Sequence, residues 1–280
     1  MWPIDLDLGF KVIYGYEGFY FVLSIGVAAL LTVRRMRKAG MDPGPFLDSL
    51  VWILLGAILG ARLSDFLFWD TRSFLADPMS LLRVWEGGLS ITGGLAGGVI
   101  AGYLAFRRKG LDFWHLFAVA SPAVLVGQAL GRVGCFLNGD AWGTPTRLPW
   151  GVALPKFGTL VPDMVRDTRV PTDAWLWSVR MGSTSPLAGA TTPLHPVQLY
   201  EVFGDLLLAA VILHLGRRWQ ATRRLWPRIF WVHLGGYALL RFGLEFLHGD
   251  RSALVWGPMT ALQIGLLLFA GLAGVQLVRT

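Results

Sequence analysis

The sequence predicts an all-α membrane protein with seven transmembrane helices. Only 15% of its 280 residues are charged, against roughly 25% in soluble domains, while 54% are hydrophobic and the mean hydropathy is +0.53. Several apolar runs are long enough to cross a bilayer, which takes about 20 residues of helix. These features exclude an ordinary soluble domain, a disordered chain and a fibre.

Charge and cysteine content narrow the classes further. In a soluble protein, an excess of 25 Lys and Arg over 18 Asp and Glu would suggest nucleic-acid binding. In a membrane protein the same excess is typical of loops beside an anionic lipid surface, so we expect membrane lipids as partners and no nucleic acid. A single cysteine excludes a disulfide scaffold and a cysteine-based zinc site.

The seven predicted spans fix the expected topology. Basic residues collect in the loops after the first, third and fifth spans, and the positive-inside rule places those loops in the cytoplasm. The N-terminus is therefore expected outside and the C-terminus in the cytoplasm. The spans lie near Tyr16–Val33, Phe46–Trp69, Gly88–Phe106, Phe113–Leu137, Pro196–Leu215, Pro227–Leu247 and Pro258–Val278.

Residues 1–280 are expected to form a single transmembrane domain. The start, Met1–Phe10, has no basic region, and no small-residue cleavage site follows the first apolar run, so we expect no removable signal peptide. The one long connection, Asn138–Leu194, is predicted to be a small folded outer element with short strands around Trp150–Leu154. A disordered linker is disfavoured because four tryptophans in it would have nothing to bury against: Trp142, Trp150, Trp175 and Trp177.

Polar residues inside the spans converge on one side of the membrane. Charged groups in a bilayer are costly and mark function by default, and under the predicted orientation nearly all of them fall in the outer half. This favours an enzyme that acts on a lipid headgroup over a transporter, whose site lies near the midplane. Two sets share a helix face by spacing: His233, Tyr237, Arg241 and Glu245, and Gln128, Arg132 and Cys135.

Two arginines are the leading site candidates. Arg132 and Arg241 lie among aromatic or small residues, and a guanidinium fork matches phosphate oxygens, which indicates an anionic phospholipid headgroup. Arg62 and Asp65, three residues apart, are interpreted as a structural pair. Glycines crowding the third and fourth spans are interpreted mainly as close helix packing, with room for a lipid chain as the alternative.

Five motifs in order along the chain resemble the prolipoprotein diacylglyceryl transferase family. Residues 131–143, Gly-Arg-Val-Gly-Cys-Phe-Leu-Asn-Gly-Asp-Ala-Trp-Gly, resemble its signature G-R-x-G-N-F-x-N-G-E-x-W-G. The resemblance covers the whole chain. The other motifs are Gly60-Ala61-Arg62-Leu63, Val84-Trp85-Glu86-Gly87-Gly88, His195-Pro196-Val197-Gln198-Leu199-Tyr200-Glu201 and Tyr237-Ala238-Leu239-Leu240-Arg241 with Glu245-Phe246.

The resemblance implies transfer of diacylglyceryl from phosphatidylglycerol to the lipobox cysteine thiol of prolipoproteins, with release of glycerol phosphate. It implies a monomer in the bacterial cytoplasmic (inner) membrane, with the active site toward the outer leaflet and without metal or cofactor. Arg132 and Arg241 match essential arginines that bind the lipid phosphate and act in catalysis. The other matching positions are Tyr237 and Glu245, expected to be catalytic, and Tyr16, Asn138, Asp140 and Gly143, expected to bind substrate.

Three departures from the family pattern concern the acceptor thiol. Thr92 stands where the family has a histidine, Cys135 replaces an asparagine and Val197 replaces a serine. The family histidine is a candidate base for the thiol, whose ordinary pKa is about 8.5, and threonine cannot replace it. Without another base, the neutral-pH rate should be low, rise as the thiol ionises, and be restored by Thr92→His. Alternative bases are His195, which we place among the catalytic residues, His248 and Glu245.

Several functions therefore stay open. The first is a working diacylglyceryl transferase with another base. The second is a paralogue with the same phospholipid donor and a different acceptor, and the third is a phospholipid-binding membrane protein without catalysis. A transporter is a fourth, and the arginines count against the third. Cys135 could act as a covalent nucleophile, although a small core residue is the favoured interpretation.

Overall fold

The structure is a computed structural model, which describes residues 15–68, 71–83, 91–156, 171–219, 225–251 and 254–279. The chain divides into two compact units, a first of Met1–Thr32 with Phe117–Thr280 and a second of Val33–Leu116. The described elements are α1 Gly15–Lys38, α2 Gly44–Phe68, α3 Thr71–Ala76, a 3-10 helix Pro78–Leu82, α4 Ile91–Arg108, α5 Phe113–Asn138, α6 Asp173–Arg180, α7 Val197–Trp219, α8 Trp226–Glu245, β1 Leu254–Trp256, β2 Met259–Thr260 and α9 Ala261–Arg279.

Each predicted span coincides with one long helix: α1, α2, α4, α5, α7, α8 or α9. Within the described ranges, four stretches are long and apolar enough to cross a membrane: Gly44–Leu67, Phe113–Asn138, Val197–Arg217 and Ala261–Arg279. The prediction of a helical membrane protein is confirmed, whereas seven crossings and the sides of the termini stay predictions. The N-terminal segment Met1–Phe10 lies outside the described residues, as do Trp69 and the first residues of the predicted third span.

In the second unit, α2 and α4 pack backbone against backbone. A Cβ atom built at Gly60 would overlap the carbonyl oxygen of Gly93, and one built at Gly97 would overlap that of Gly56. Small residues allow this close approach between membrane helices. The packing interpretation is therefore confirmed for Gly93 and Gly97.

Arg62 has a structural role in the same unit. Arg62 is 5% exposed. Its Nη2 donates to the carbonyl oxygens of Ser80, at 2.8 Å, and Arg83, at 2.9 Å. The guanidinium carbon lies 4.8 Å from the centre of the Phe66 ring. Arg62 thereby ties α2 to the 3-10 helix, whereas its expected pairing with Asp65 stays a prediction.

In the first unit, α5, α7 and α8 each have an apolar half and a polar half. Their apolar halves, the start of α5, the end of α7 and the start of α8, meet in a buried hydrophobic cluster of Ala118, Leu125, Ala209, Ile212 and Ile229. Burial of these side chains holds the three helices together. Their polar halves consequently lie at the opposite end, next to the connection 138–194.

That connection is folded where it is described, over 138–156 and 171–194. Val152 and Leu194 exchange two backbone hydrogen bonds of 2.9 Å, and the Thr191 N–H donates to the Leu154 carbonyl at 2.8 Å. In place of the expected strand around Trp150–Leu154, this part shows isolated bridges at Val152 and Pro155. The prolines here lack the N–H that a longer ladder requires, which explains the difference.

Tryptophan burial in this connection is uneven. Trp175 is 6% exposed and its Nε1 donates to the carbonyl of Ala188 at 3.1 Å. Trp150 is 56% exposed, although its Nε1 donates to the Tyr200 hydroxyl at 2.8 Å. The expectation of buried tryptophans is confirmed for Trp175 and wrong for Trp150, because a polar partner for the indole N–H is available at the surface.

Candidate functional site

Three helices bring polar side chains together at one end of the first unit. They come from the last turns of α5, the first turns of α7 and the last turns of α8. Each set repeats every three or four residues, so it forms a single stripe that faces its neighbours. The stripes consist of Gln128 and Arg132 on α5, Gln198, Glu201 and Asp205 on α7, and Tyr237, Arg241 and Glu245 on α8.

Glu201 bridges the two arginines. Its Oε2 lies 2.5 Å from Arg132 Nε, and its Oε1 lies 3.4 Å from Arg241 Nε. Glu201 is 1% exposed, whereas the arginine side chains are 23% and 15% exposed. One buried carboxylate therefore sets the spacing of two guanidinium groups from different helices.

Only one of the two terminal nitrogens of the Arg241 guanidinium group is paired with a described residue. Its Nη2 lies 2.8 Å from Glu245 Oε2, one turn further along α8. Its Nη1 is buried and has no hydrogen-bond partner within the described part of the chain. A buried donor without a partner is costly and calls for a ligand or another explanation.

Further side-chain contacts lie next to the two arginines and help to position them. The Tyr237 side chain lies next to Arg132 and interacts with it electrostatically. Gln128 Nε2 donates to Asp205 Oδ1 at 3.2 Å, which repeats the α5–α7 pairing one turn away from Arg132 and Glu201. Both arginines therefore have fixed Nε atoms and can direct their remaining donors at an anion, a geometry suited to phosphate.

The loop after α5 carries the signature residues and closes over the start of α7. Asn138 Nδ2 donates to the Asp140 carboxylate, and the Asp140 carbonyl accepts from Gln198 Nε2 at 2.5 Å. Gly139 and Ala141 both have left-handed backbone angles, with φ of 83° and 51°. Such a conformation in alanine is uncommon and indicates that the surrounding contacts impose the path of this loop.

Gly143 allows the signature loop to pass against His195. A Cβ atom at this position would overlap the carbonyl oxygen of His195. The backbone of Gly143 also pairs with His248, three residues after the end of α8. Gly143 is thus required by sterics, and its expected contribution to substrate binding is through backbone placement.

The two histidines next to this loop have different partners. His195 Nδ1 lies 3.2 Å from the Tyr200 hydroxyl. His248 is 2% exposed, its Nδ1 lies 2.9 Å from Asp250 Oδ1, and its Nε2 has no hydrogen-bond partner within the described ranges. Both stay candidates for a proton-transferring group.

The remaining predicted residues are placed as follows. Cys135 is half-buried, one turn from Arg132, and Val197 is fully buried. Tyr16 lies in α1 and Thr92 in α4 of the second unit, but their side chains lie outside the described part of the structure. His233, two turns into α8, contacts Ser121 Oγ at 2.7 Å through its Nδ1 and is thus assigned to helix packing.

Sequence reasoning did not include Glu201 or Asp205 among the site residues. A signal was present, because Gln198, Glu201 and Asp205 are three and four residues apart and so share one helix face. Acidic residues in a membrane helix usually pair with basic ones. With two arginines already predicted in the site, Glu201 was a carboxylate to expect beside them.

Fold and site together describe a helical membrane protein in which two arginines from different helices share one buried carboxylate. Residues 3–278 match the family described as prolipoprotein diacylglyceryl transferase. The chain therefore belongs to the prolipoprotein diacylglyceryl transferase family, and the resemblance seen in its motifs is confirmed.

Three relatives are named phosphatidylglycerol–prolipoprotein diacylglyceryl transferase. The protein from Xanthomonas campestris pv. campestris is 33% identical over 284 residues, which is 99% of this chain and 89% of the relative. That from Geobacter sulfurreducens is 31% identical over 268 residues, covering 94% and 88%. That from Methylococcus capsulatus is 30% identical over 248 residues, covering 88% and 81%.

Proposed function

We propose that this protein transfers the diacylglyceryl group of phosphatidylglycerol to the lipobox cysteine thiol of prolipoproteins and releases glycerol phosphate. The observation that carries the proposal is the pair of arginines joined at Glu201, in a chain that matches this family over residues 3–278. Arg241 also has a buried donor, Nη1, that lacks a partner in the part of the chain that the structure describes. The names of its relatives state the same donor and the same acceptor class.

The arginine pair suits the bond that breaks. The thiol sulfur attacks a glyceryl carbon, and the carbon–oxygen bond to phosphate breaks with its electron pair going to the phosphate oxygen. Negative charge therefore grows on the leaving group, where Arg132 and Arg241 would stabilise it in a setting with little water. Tyr237 would position Arg132, and the loop of Asn138, Asp140 and Gly143 would hold the headgroup or the acceptor peptide.

An assay with purified protein tests this function. Phosphatidylglycerol and a lipobox peptide are incubated with the protein, and mass spectrometry detects the diacylglyceryl adduct. A peptide with serine in place of the lipobox cysteine is the matched control and should stay unmodified. Donor binding without any adduct would instead favour the paralogue or the binding protein.

We also propose that all seven long helices cross the bacterial inner membrane, with the site toward the outer leaflet. The polar halves of α5, α7 and α8 lie beside the connection 138–194, and the basic loops lie at the other ends of these helices. Reporter fusions near Pro171 should give an extracytoplasmic signal, and fusions within 217–228 a cytoplasmic one. A cytoplasmic signal near Pro171 would overturn the orientation.

The threonine at position 92 provides a further test. A working enzyme with another base should modify a lipobox peptide at pH 7 at a rate close to that of Thr92→His. General base catalysis contributes about 10²–10⁴-fold, so restoring a missing base would be conspicuous. A gain of about 10²-fold in Thr92→His, with a wild-type rate that rises toward the thiol pKa of about 8.5, would show that no other base acts.

A further inference from the structure

The two arginines already have two carboxylate partners, and Asp205 adds a third buried carboxyl group nearby. Arg132 and Arg241 are in ion pairs with Glu201 and Glu245, and these carboxylates are 1% and 2% exposed. A phosphodiester would add one negative charge to this buried set. Because an uncompensated buried charge is strongly unfavourable, donor binding requires one carboxylate to leave its arginine or to take up a proton.

The geometry distinguishes the two carboxylates. Glu201 contacts the Nε atoms of both arginines, so its displacement would separate them. Glu245 contacts only Arg241 among these ion pairs, at Nη2, beside the Nη1 that has no hydrogen-bond partner among the described residues. These two terminal nitrogens are the fork that binds a phosphate in bidentate fashion. The entering phosphate therefore competes with Glu245 and leaves Glu201 in place.

We propose that the donor phosphate displaces Glu245 from Arg241, and that the freed Glu245 carboxylate then takes the proton of the acceptor thiol. This inference rests on the proposed function and deepens it by naming the base and the order of events. Glu245 becomes a base only after the donor is bound, so the thiol is activated only when there is a lipid to attack.

Over one turnover the thiol proton is transferred to the leaving phosphate, and Glu245 returns to its starting charge. The thiol proton moves to Glu245, the sulfur bonds to the glyceryl carbon, and the carbon–oxygen bond to phosphate breaks. The departing phosphate monoester, whose second pKa is about 6, takes the proton from Glu245. Glu245 is again a carboxylate, pairs with Arg241 and thereby favours release of glycerol phosphate.

Glu245→Gln should raise the affinity for the donor and lower the transfer rate. A neutral amide competes less well for Arg241, so phosphatidylglycerol in detergent should bind about tenfold more tightly, the size expected for loss of one charge-assisted contact from the competing state. An amide cannot take the thiol proton, so transfer at saturating donor should fall by about 10²-fold or more. A residue that only supported Arg241 would weaken both donor binding and transfer.

Two further variants keep the test decisive. Glu245→Asp keeps a carboxylate but shortens its reach to Arg241, so it should bind donor more tightly than wild type and retain part of the transfer rate. Asp205→Asn removes a buried carboxylate that pairs with Gln128 instead. If Asp205→Asn tightens donor binding as much as Glu245→Gln, overall charge explains the effect and the exchange is wrong.

The wild type separates failure of the inference from failure of the function. If wild-type protein does not modify the lipobox peptide, the proposed function is wrong. If wild type transfers but both Glu245 variants bind donor equally well or more weakly, the function stands and the exchange at Arg241 is overturned.

Discussion

Replacing Arg241 by alanine should lower diacylglyceryl transfer by at least about 10²-fold, and Arg132→Ala should do the same. A charge-assisted hydrogen bond contributes about 1.5–3 kcal/mol, and a donor aimed at developing charge contributes about 10²–10³ in rate. Each arginine offers more than one such bond to the leaving phosphate. The measurement is transfer to a lipobox peptide, together with the affinity for phosphatidylglycerol.

Two controls make the arginine result specific. Arg241→Lys keeps the charge but not the planar fork, so it should fall between alanine and wild type. Arg62→Ala removes a more deeply buried arginine whose partners include the carbonyls of Ser80 and Arg83. It should reduce the yield of folded protein but leave donor affinity per folded molecule largely intact. Normal binding and turnover in Arg241→Ala would mean that the phosphate site lies elsewhere.

The helices of this protein were predictable because the bilayer constrains their length. A spanning segment needs about 20 apolar residues, and the backbone must satisfy its own hydrogen bonds, so apolar runs become helices. The connection 138–194 has no such constraint. Its prolines indicate turns, but the pairing of Val152 with Leu194 depends on tertiary contacts that no local pattern encodes.

Site residues could be predicted where the residue type alone is energetically unfavourable in a membrane helix. Arg132 and Arg241 stand out because a guanidinium in a membrane helix requires an explanation. Glu201 is harder to assign, because its role depends on which atoms of two other helices lie beside it. The need for glycine at position 143 likewise depends on tertiary structure. It arises from the carbonyl of His195, which lies 52 residues later in the sequence.

The ion pair between Arg241 Nη2 and Glu245 could likewise be identified only from the structure. The spacing of four residues predicts that the two side chains share a helix face. It does not show that Glu245 takes the terminal nitrogen while Glu201 takes Nε. That division of one guanidinium between two carboxylates is what separates a fixed partner from a displaceable one.

Glu201→Ala should be the most destabilising single substitution in this site. It removes a carboxylate that is 1% exposed and leaves two partly buried guanidinium groups without their shared partner. Breaking a buried ion pair by removing one member costs about 3–5 kcal/mol. The measurement is thermal unfolding in detergent, with transfer activity per folded molecule as a second readout, because the freed arginines should also lose their spacing and turn over donor poorly.

Asp173→Ala is the matched control for this prediction. Asp173 is an exposed acid in the first turn of α6, in the same compact unit, where a charge contributes about 0.3–1 kcal/mol. Glu201→Gln should fall between the two, because the amide keeps the shape and an oxygen acceptor but loses the charge. If Glu201→Ala unfolds and turns over donor like the Asp173 variant, the carboxylate does not hold the arginines together, and their spacing must come from the packing of α5 against α8 alone.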